Sequence, residues 1–220
     1  MAADRTGGPW GAVVMAAGAG RRMGGVPKAL LRREGEPLLL RQIRLLHECG
    51  VAHVAVALGH HAPRLAPVLA QAQAGRLPGS ARLHWAVNPE PDAGPGGSLR
   101  CGLALLPQPL AGVLVVLGDQ PLLQLQDVRA VMQAWQARGA GIELVVPVHA
   151  GQPGHPLALG QAVRTAVMQA PAGQGVREWR RAHAGQVQLL DCGHIRCTAD
   201  VDTPGDVERL QREHGVQLHW

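Results

Sequence analysis

The chain has 220 residues, 46% of them apolar and only 17% charged, a balance that buries a substantial core and excludes a disordered protein. It contains neither Phe nor Tyr, so the core must be aliphatic, and the usual base-stacking platforms of single-stranded nucleic-acid modules are missing. The formal charge of +5 suits an acidic ligand, but the basic residues form no run of five or more, which argues against a nucleic-acid-binding tail.

Met1 to Gly11 lacks an apolar segment, so no secretory signal is expected. No apolar run approaches a membrane-spanning length, and a cytoplasmic protein without membrane partners is the default. Short Val- and Leu-rich runs over Ala12–Ala17, His53–Leu58, Leu83–Val87, Val113–Leu117 and Leu144–Val148 predict strands of a parallel sheet covered on both faces. Helical patterns fall between them at Leu38–Glu48, Ala62–Ala74, Ser98–Leu106 and Gln126–Arg138, with Gly50 and Gly139 as helix stops. After Val148 the rhythm breaks into Pro- and Gly-rich loops, a helical region, a strand near Gln186–Leu190 and a last helix starting at Thr203 and Pro204. The alternation predicts an α/β protein: a Rossmann-like, open, mostly parallel sheet with helices on both faces. A single domain over 1–220 is expected, its nucleotide-binding half about 11–120 and its acceptor half about 121–220.

Ligands of such sheets bind beyond the carboxyl ends of the strands. The first predicted strand runs into Ala16-Ala17-Gly18-Ala19-Gly20-Arg21-Arg22-Met23-Gly24, followed by Lys28. Glycines let several backbone N–H groups face one anion, and Arg22 and Lys28 add positive charge for a polyphosphate. The segment is not a Walker loop, because Lys28 lies between Pro27 and Ala29, and Met23 stands where a dinucleotide fingerprint needs glycine. Gly118-Asp119-Gln120-Pro121 ends another buried strand, so Asp119 is expected on the same edge, positioned for Mg²⁺ or Mn²⁺. In Asp200-Val201-Asp202-Thr203-Pro204, Asp202 could join Asp119 as a metal ligand, or the acidic residues could simply cap the last helix. Asn88 and Ser98 bracket a Gly- and Pro-rich loop in which Ser98 is a candidate N-cap facing a base or phosphate. His155, fixed between Gly154 and Pro156, is a candidate acceptor contact, whereas His60 and His61, which follow a strand and Gly59, could line the cleft but are expected to face solvent.

Together these segments resemble the molybdenum cofactor cytidylyltransferases, in the MobA-like nucleotidyltransferase group. The resemblance runs from Val13 to Asp206, through Ala16-Ala17-Gly18, Arg22-Met23-Gly24, Lys28, Asn88-Pro89, Gly118-Asp119-Gln120-Pro121, Pro153-Gly154-His155-Pro156 and Asp200-Val201-Asp202-Thr203-Pro204. It implies transfer of CMP from CTP to Mo-molybdopterin, giving molybdopterin cytosine dinucleotide and pyrophosphate. It also implies catalytic roles for Arg22, Lys28 and Asp119, metal ligation by Asp119 and Asp202, and nucleotide contacts from Ala16, Ala17, Gly18, Gly20, Arg22, Lys28, Asn88 and Ser98. A xanthine dehydrogenase-like or aldehyde oxidase-like enzyme, or its maturation factor, is the implied recipient of the product. The alternatives are a related transferase using GTP or another phosphorylated acceptor, and a non-catalytic cofactor carrier.

Overall fold

In the segment Trp10–Ala16, neighbouring side chains point to opposite sides, and both Val13 and Val14 are fully buried. A strand with two dry faces requires helices above and below it. The computed structural model describes residues 8–75 and 82–220, so most of Met1–Gly11 lies outside the described residues. In chain order the elements are β1 (Trp10–Ala16), β2 (Arg32–Arg33), β3 (Glu36–Pro37), α1 (Leu38–Glu48), β4 (His53–Leu58), α2 (Ala62–Ala74), β5 (Arg82–Val87) and α3 (Pro95–Ala104). There follow β6 (Gly112–Leu117), α4 (Leu125–Gln136), β7 (Leu144–His149), β8 (Gln152–Pro153), β9 (Leu157–Leu159), α5 (Gln161–Gln169), α6 (Val176–Ala182), β10 (Val187–Asp191), α7 (Pro204–His214) and β11 (Leu218–His219).

The main sheet runs β10-β7-β9-β6-β1-β4-β5, with β8 paired to β7. All neighbours along β6-β1-β4-β5 are parallel, whereas β9 is antiparallel to both β6 and β7. The sheet is therefore mostly parallel, as the sequence predicts. On one face Val14, Val56 and Leu114 pack against Ile43 of α1, Leu65 of α2 and Trp135 of α4. On the other, Val13, Ala57 and Val115 pack against Leu103 of α3, Val163 of α5 and Trp179 of α6. A third cluster joins Leu31, Leu38, Leu122, Val201 and Leu210, which seats α7 beside the loop after β6.

Register fixes where the loops emerge. Ala16 pairs with Leu58, Met15 with Leu117, and Leu58 with Val87. The carboxyl ends of four strands thus share one edge, and the loops beginning at residues 17, 59, 88 and 118 open from it together. Two helix boundaries differ from expectation. The third helix starts at Pro95 with Gly94 before it, so Ser98 lies inside the helix and is not its N-cap. The fourth ends at Gln136 with Ala137 as its cap, so Gly139 lies beyond the stop, whereas Gly50 sits just past Cys49 with φ of 82°, as a helix stop requires.

Candidate active site

The loop after β1 is wound tightly. The Gly20 carbonyl accepts from the Met23 and Gly25 amides at 2.8 and 3.0 Å, and Gly20 itself has φ of 63°. A Cβ at Gly20 would collide with the Val26 carbonyl oxygen, so the turn is closed to other residues both by conformation and by space. This winding leaves Arg21 and Arg22 on the rim and delivers Lys28 to the floor, at the start of a short helical turn after Pro27.

Asp119 is held from several sides. The Gly118 amide donates to the Met15 carbonyl at 2.9 Å, and the Val201 amide donates to the Asp119 carbonyl at 3.2 Å. From α1, the buried Gln42 donates to the Gln120 carbonyl at 2.7 Å and Arg41 to the Leu123 carbonyl at 2.6 Å. Gln120 in turn donates to the Cys197 carbonyl at 2.8 Å, tying the loop to the segment that carries Asp202. Capping of α7 falls to Thr203 and Asp206: the Asp206 carboxylate accepts from the Asp202 and Thr203 amides at 3.0 and 2.8 Å. The Asp202 side chain is left free to face the crevice.

The three segments meet at Lys28. Its Nζ lies 2.7 Å from Asp119 Oδ2 and 2.7 Å from Asp202 Oδ1, while Arg22 reaches Asp202 Oδ2 at 2.6 Å. Burial works against the Lys28 charge, but Asp119 and Asp202 outweigh it and hold the ammonium above the ordinary lysine range. Burial raises Asp119 above the ordinary carboxylate range despite Lys28. Asp202, although partly desolvated, is held low by Lys28 and Arg22. Asp200 is raised, first by burial and then by the charges of Asp119 and Asp202.

Arg22, Lys28, Asp119 and Asp202 border a cavity of about 460 Å³, lined also by Ala17, Gly18, Gly20, Ser98 and Leu117. A smaller space of about 80 Å³ lies behind Lys28 and Asp119 and touches Ala16 and His61. Asn88 lines neither; it is buried and donates from Nδ2 to Ser98 Oγ at 3.0 Å, so it supports Ser98 instead of facing the cavity. His155 also lines neither. Its amide donates to the Cys197 carbonyl at 2.8 Å, and burial pushes its imidazole down to about 4, so the ring is neutral at pH 7. His60 and His61, expected at the solvent surface, border the two spaces, and His61 Nε2 lies 2.9 Å from the Ala19 carbonyl.

Sequence reasoning missed a second cluster. Arg21 pairs with Asp92 at 2.8 Å, and His60 Nε2 lies 3.2 Å from the same carboxylate, linking the glycine-rich loop to the loop after β5. Only the placement of both loops on one sheet edge could have suggested it.

Among the described residues no group of three or more His, Cys, Asp and Glu side chains forms a metal cage. The arrangement is instead an open pair, Asp119 and Asp202, with one ammonium cation between them. Two carboxylates facing this cavity fit the way Mg²⁺ is usually held, by one or two carboxylates plus substrate phosphates.

Residues 12–187 match the MobA-like NTP transferase domain. The bifunctional protein GlmU of Mycobacterium avium is 33% identical over 195 residues, covering 84% of this chain and 38% of GlmU, so the chain spans under two-fifths of the length of the curated relatives it matches. Rv0371c of Mycobacterium tuberculosis superposes with a TM-score of 0.70 at 25% identity, covering 93% of this chain and 99% of the other, and has also been solved in complex with manganese. A nucleotidyl transferase from Methanothermobacter has the same fold, with a TM-score of 0.73 at 21% identity over 94% of this chain and 97% of its own. No helix among the described residues is long and apolar enough to cross a membrane. With its candidate site at the carboxyl edge of a mostly parallel sheet, the chain belongs to the family of MobA-like NTP transferase domains.

Proposed function

We propose that the protein transfers CMP from CTP to the terminal phosphate of Mo-molybdopterin, releasing pyrophosphate. The observation that carries the reading is the convergence of Lys28, Asp119 and Asp202 beneath the wound glycine-rich loop. An acceptor phosphate oxygen attacks the α-phosphorus while pyrophosphate leaves in line, so the protein's work is positioning and charge neutralisation. Backbone N–H groups of Gly18–Arg22 hold the triphosphate, and Arg22 and Lys28 neutralise charge on the α-phosphate and on the departing pyrophosphate. The strand-end backbone at Ala16–Gly18 reads the cytosine edge, with Ser98 offering a hydroxyl inside the same cavity. Asp119 and Asp202 would hold a divalent cation, Mg²⁺ or Mn²⁺; a solved complex of Rv0371c with manganese supports such a site. When bound, that ion supplies Lewis-acid stabilisation of phosphoryl charge. The acceptor phosphate is already ionised at neutral pH, so no general base is required.

His155 remains the acceptor contact of this reading through its imidazole; the bond from its backbone amide to the Cys197 carbonyl is one that any non-proline residue could make and fixes only the loop. The product would pass to a molybdoenzyme of the xanthine dehydrogenase or aldehyde oxidase type, or to its maturation factor.

The test is incubation of the protein with each labelled nucleoside triphosphate and Mo-molybdopterin, with products identified by mass. The cytosine dinucleotide and pyrophosphate are expected. Equal turnover of GTP would overturn the base assignment, and transfer only to another phosphorylated compound would overturn the acceptor. Stoichiometric binding of a finished dinucleotide with no turnover of any triphosphate would make the protein a carrier.

A further inference from the structure

Every Arg and Lys bordering the main cavity is already engaged by a carboxylate. Arg21 is held by Asp92, Arg22 by Asp202, and Lys28 by both Asp119 and Asp202. Three fixed cations face three carboxylates, so the charges of these lysine, arginine and aspartate side chains cancel. A triphosphate entering alone meets cations whose bonds are taken and carboxylates that repel it.

Lys28 is distinct among the three. Its Nζ sits at the same 2.7 Å from an oxygen of each aspartate, the seat that the proposed function gives to a divalent ion. Its side chain is only 15% exposed, so these bonds are poorly screened. It also stands on the partition between the larger and the smaller cavity, with space on both sides. A compact ammonium on a flexible four-carbon stem can leave such a seat, which a rigid guanidinium cannot do as readily. Moving it without a replacement would strand the partly buried Asp119 and leave Asp202 to the exposed Arg22 alone, so the move is coupled to arrival of another cation.

We infer that Lys28 is an exchangeable internal counter-ion, which holds Asp119 and Asp202 in the free protein and turns to the triphosphate when a divalent cation takes its place. The exchange also loosens Arg22, because Asp202 then serves the incoming ion. The protein thereby resists metal-free polyphosphate and binds metal and polyphosphate with positive coupling. The inference rests on the proposed divalent-ion and triphosphate site, but not on CTP or Mo-molybdopterin as substrates.

The test uses inorganic tripolyphosphate, which carries no base, and measures its binding by calorimetry in chelator and again in Mg²⁺. In chelator, Asp119→Asn is expected to bind tripolyphosphate at least tenfold tighter than the natural protein, because Lys28 is released from one of its partners. In Mg²⁺ the order reverses. The double variant Asp119→Asn with Lys28→Met loses the gain, since the released ammonium is its source. Asp202→Asn provides a second variant with the same expected direction, should Asp119→Asn fold poorly. No gain in chelator for either single variant overturns the exchange. A gain that survives Lys28→Met also overturns it, by assigning the effect to reduced repulsion alone. If the natural protein binds no tripolyphosphate even with Mg²⁺, the triphosphate site falls and the exchange with it; failure of CTP specificity leaves this result untouched.

Discussion

Two ion-paired clusters border the same cavity and use the same kinds of side chain, yet their surroundings differ. In the floor cluster the side chains of Lys28 and Asp119 are 15% and 19% exposed. In the rim cluster those of Arg21 and Asp92 are 77% and 64% exposed. Water and salt compete with the rim pair, which places it in the class of exposed pairs worth about 0–1 kcal/mol. In the floor, removing one partner leaves a desolvated charge, a change that costs about 3–5 kcal/mol in fully buried pairs and sets an upper bound here. Exposure, not residue type, therefore separates the two clusters energetically.

The largest effect expected from breaking this contrast is on catalysis. Asp119→Ala removes a floor carboxylate and is expected to lower nucleotidyl transfer by about 10³-fold, the scale for loss of a preorganised charge contact, with an unchanged circular-dichroism spectrum. Turnover within a few-fold of the natural protein would take Asp119 out of the reaction.

Stability comes next. Lys28→Met leaves Asp119 without its cation while Arg22 still serves Asp202. A loss of about 2 kcal/mol is expected in urea denaturation, and adding Asp119→Asn should restore part of it, because the unpaired charge is then gone. A double variant weaker than Lys28→Met would contradict that account.

The same cluster predicts an order of protonation. Asp119 is raised above the ordinary 3.8 and Asp202 lowered below it. As pH falls from neutrality Asp119 takes a proton first, and the penalty of keeping it charged in the folded state is relieved. The stability contributed by Asp202 is complete above 3.8 and is lost only as pH passes down through its depressed value. Lys28, raised above 10.5, contributes fully below that value and fails only at higher pH. Carbon NMR of the aspartate carboxyl groups reads this order directly, and protonation of Asp202 ahead of Asp119 would refute it.

The smallest effect belongs to the rim. Arg21→Ala is expected to change stability by no more than about 0.5 kcal/mol, as exposed pairs usually do. A change in the denaturation midpoint as large as that of Lys28→Met would erase the distinction between the clusters.

Much of this architecture was legible in the sequence. Continuous apolar runs marked β1, β4, β6 and β7 to within about two residues, as long periodic segments allow, and α1 and α2 start and end where the apolar spacing predicts. Three-residue β9 escaped notice because Leu157–Leu159 is too short for any periodicity to show, yet it enters the sheet between β6 and β7. The start of α3 was misplaced because Gly96 and Gly97 look like loop residues; in the fold, Gly96 packs so closely on the Gln174 carbonyl that a Cβ would collide with it. Lys28 and Asp119 could be found because each lies in a loop that follows a recognisable strand end, and Asp202 because it stands just before a recognisable helix start. The Arg21–Asp92 pair, 71 residues apart, has no local signature.

The most direct measurement is a crystal structure with Mg²⁺ and a non-hydrolysable CTP analogue. The triphosphate should lie between the Gly18–Arg22 loop and Asp119, with Lys28 Nζ on a phosphate oxygen instead of between the two aspartates. A nucleotide bound away from this crevice, or bound with Lys28 still bridging Asp119 and Asp202, would contradict the account.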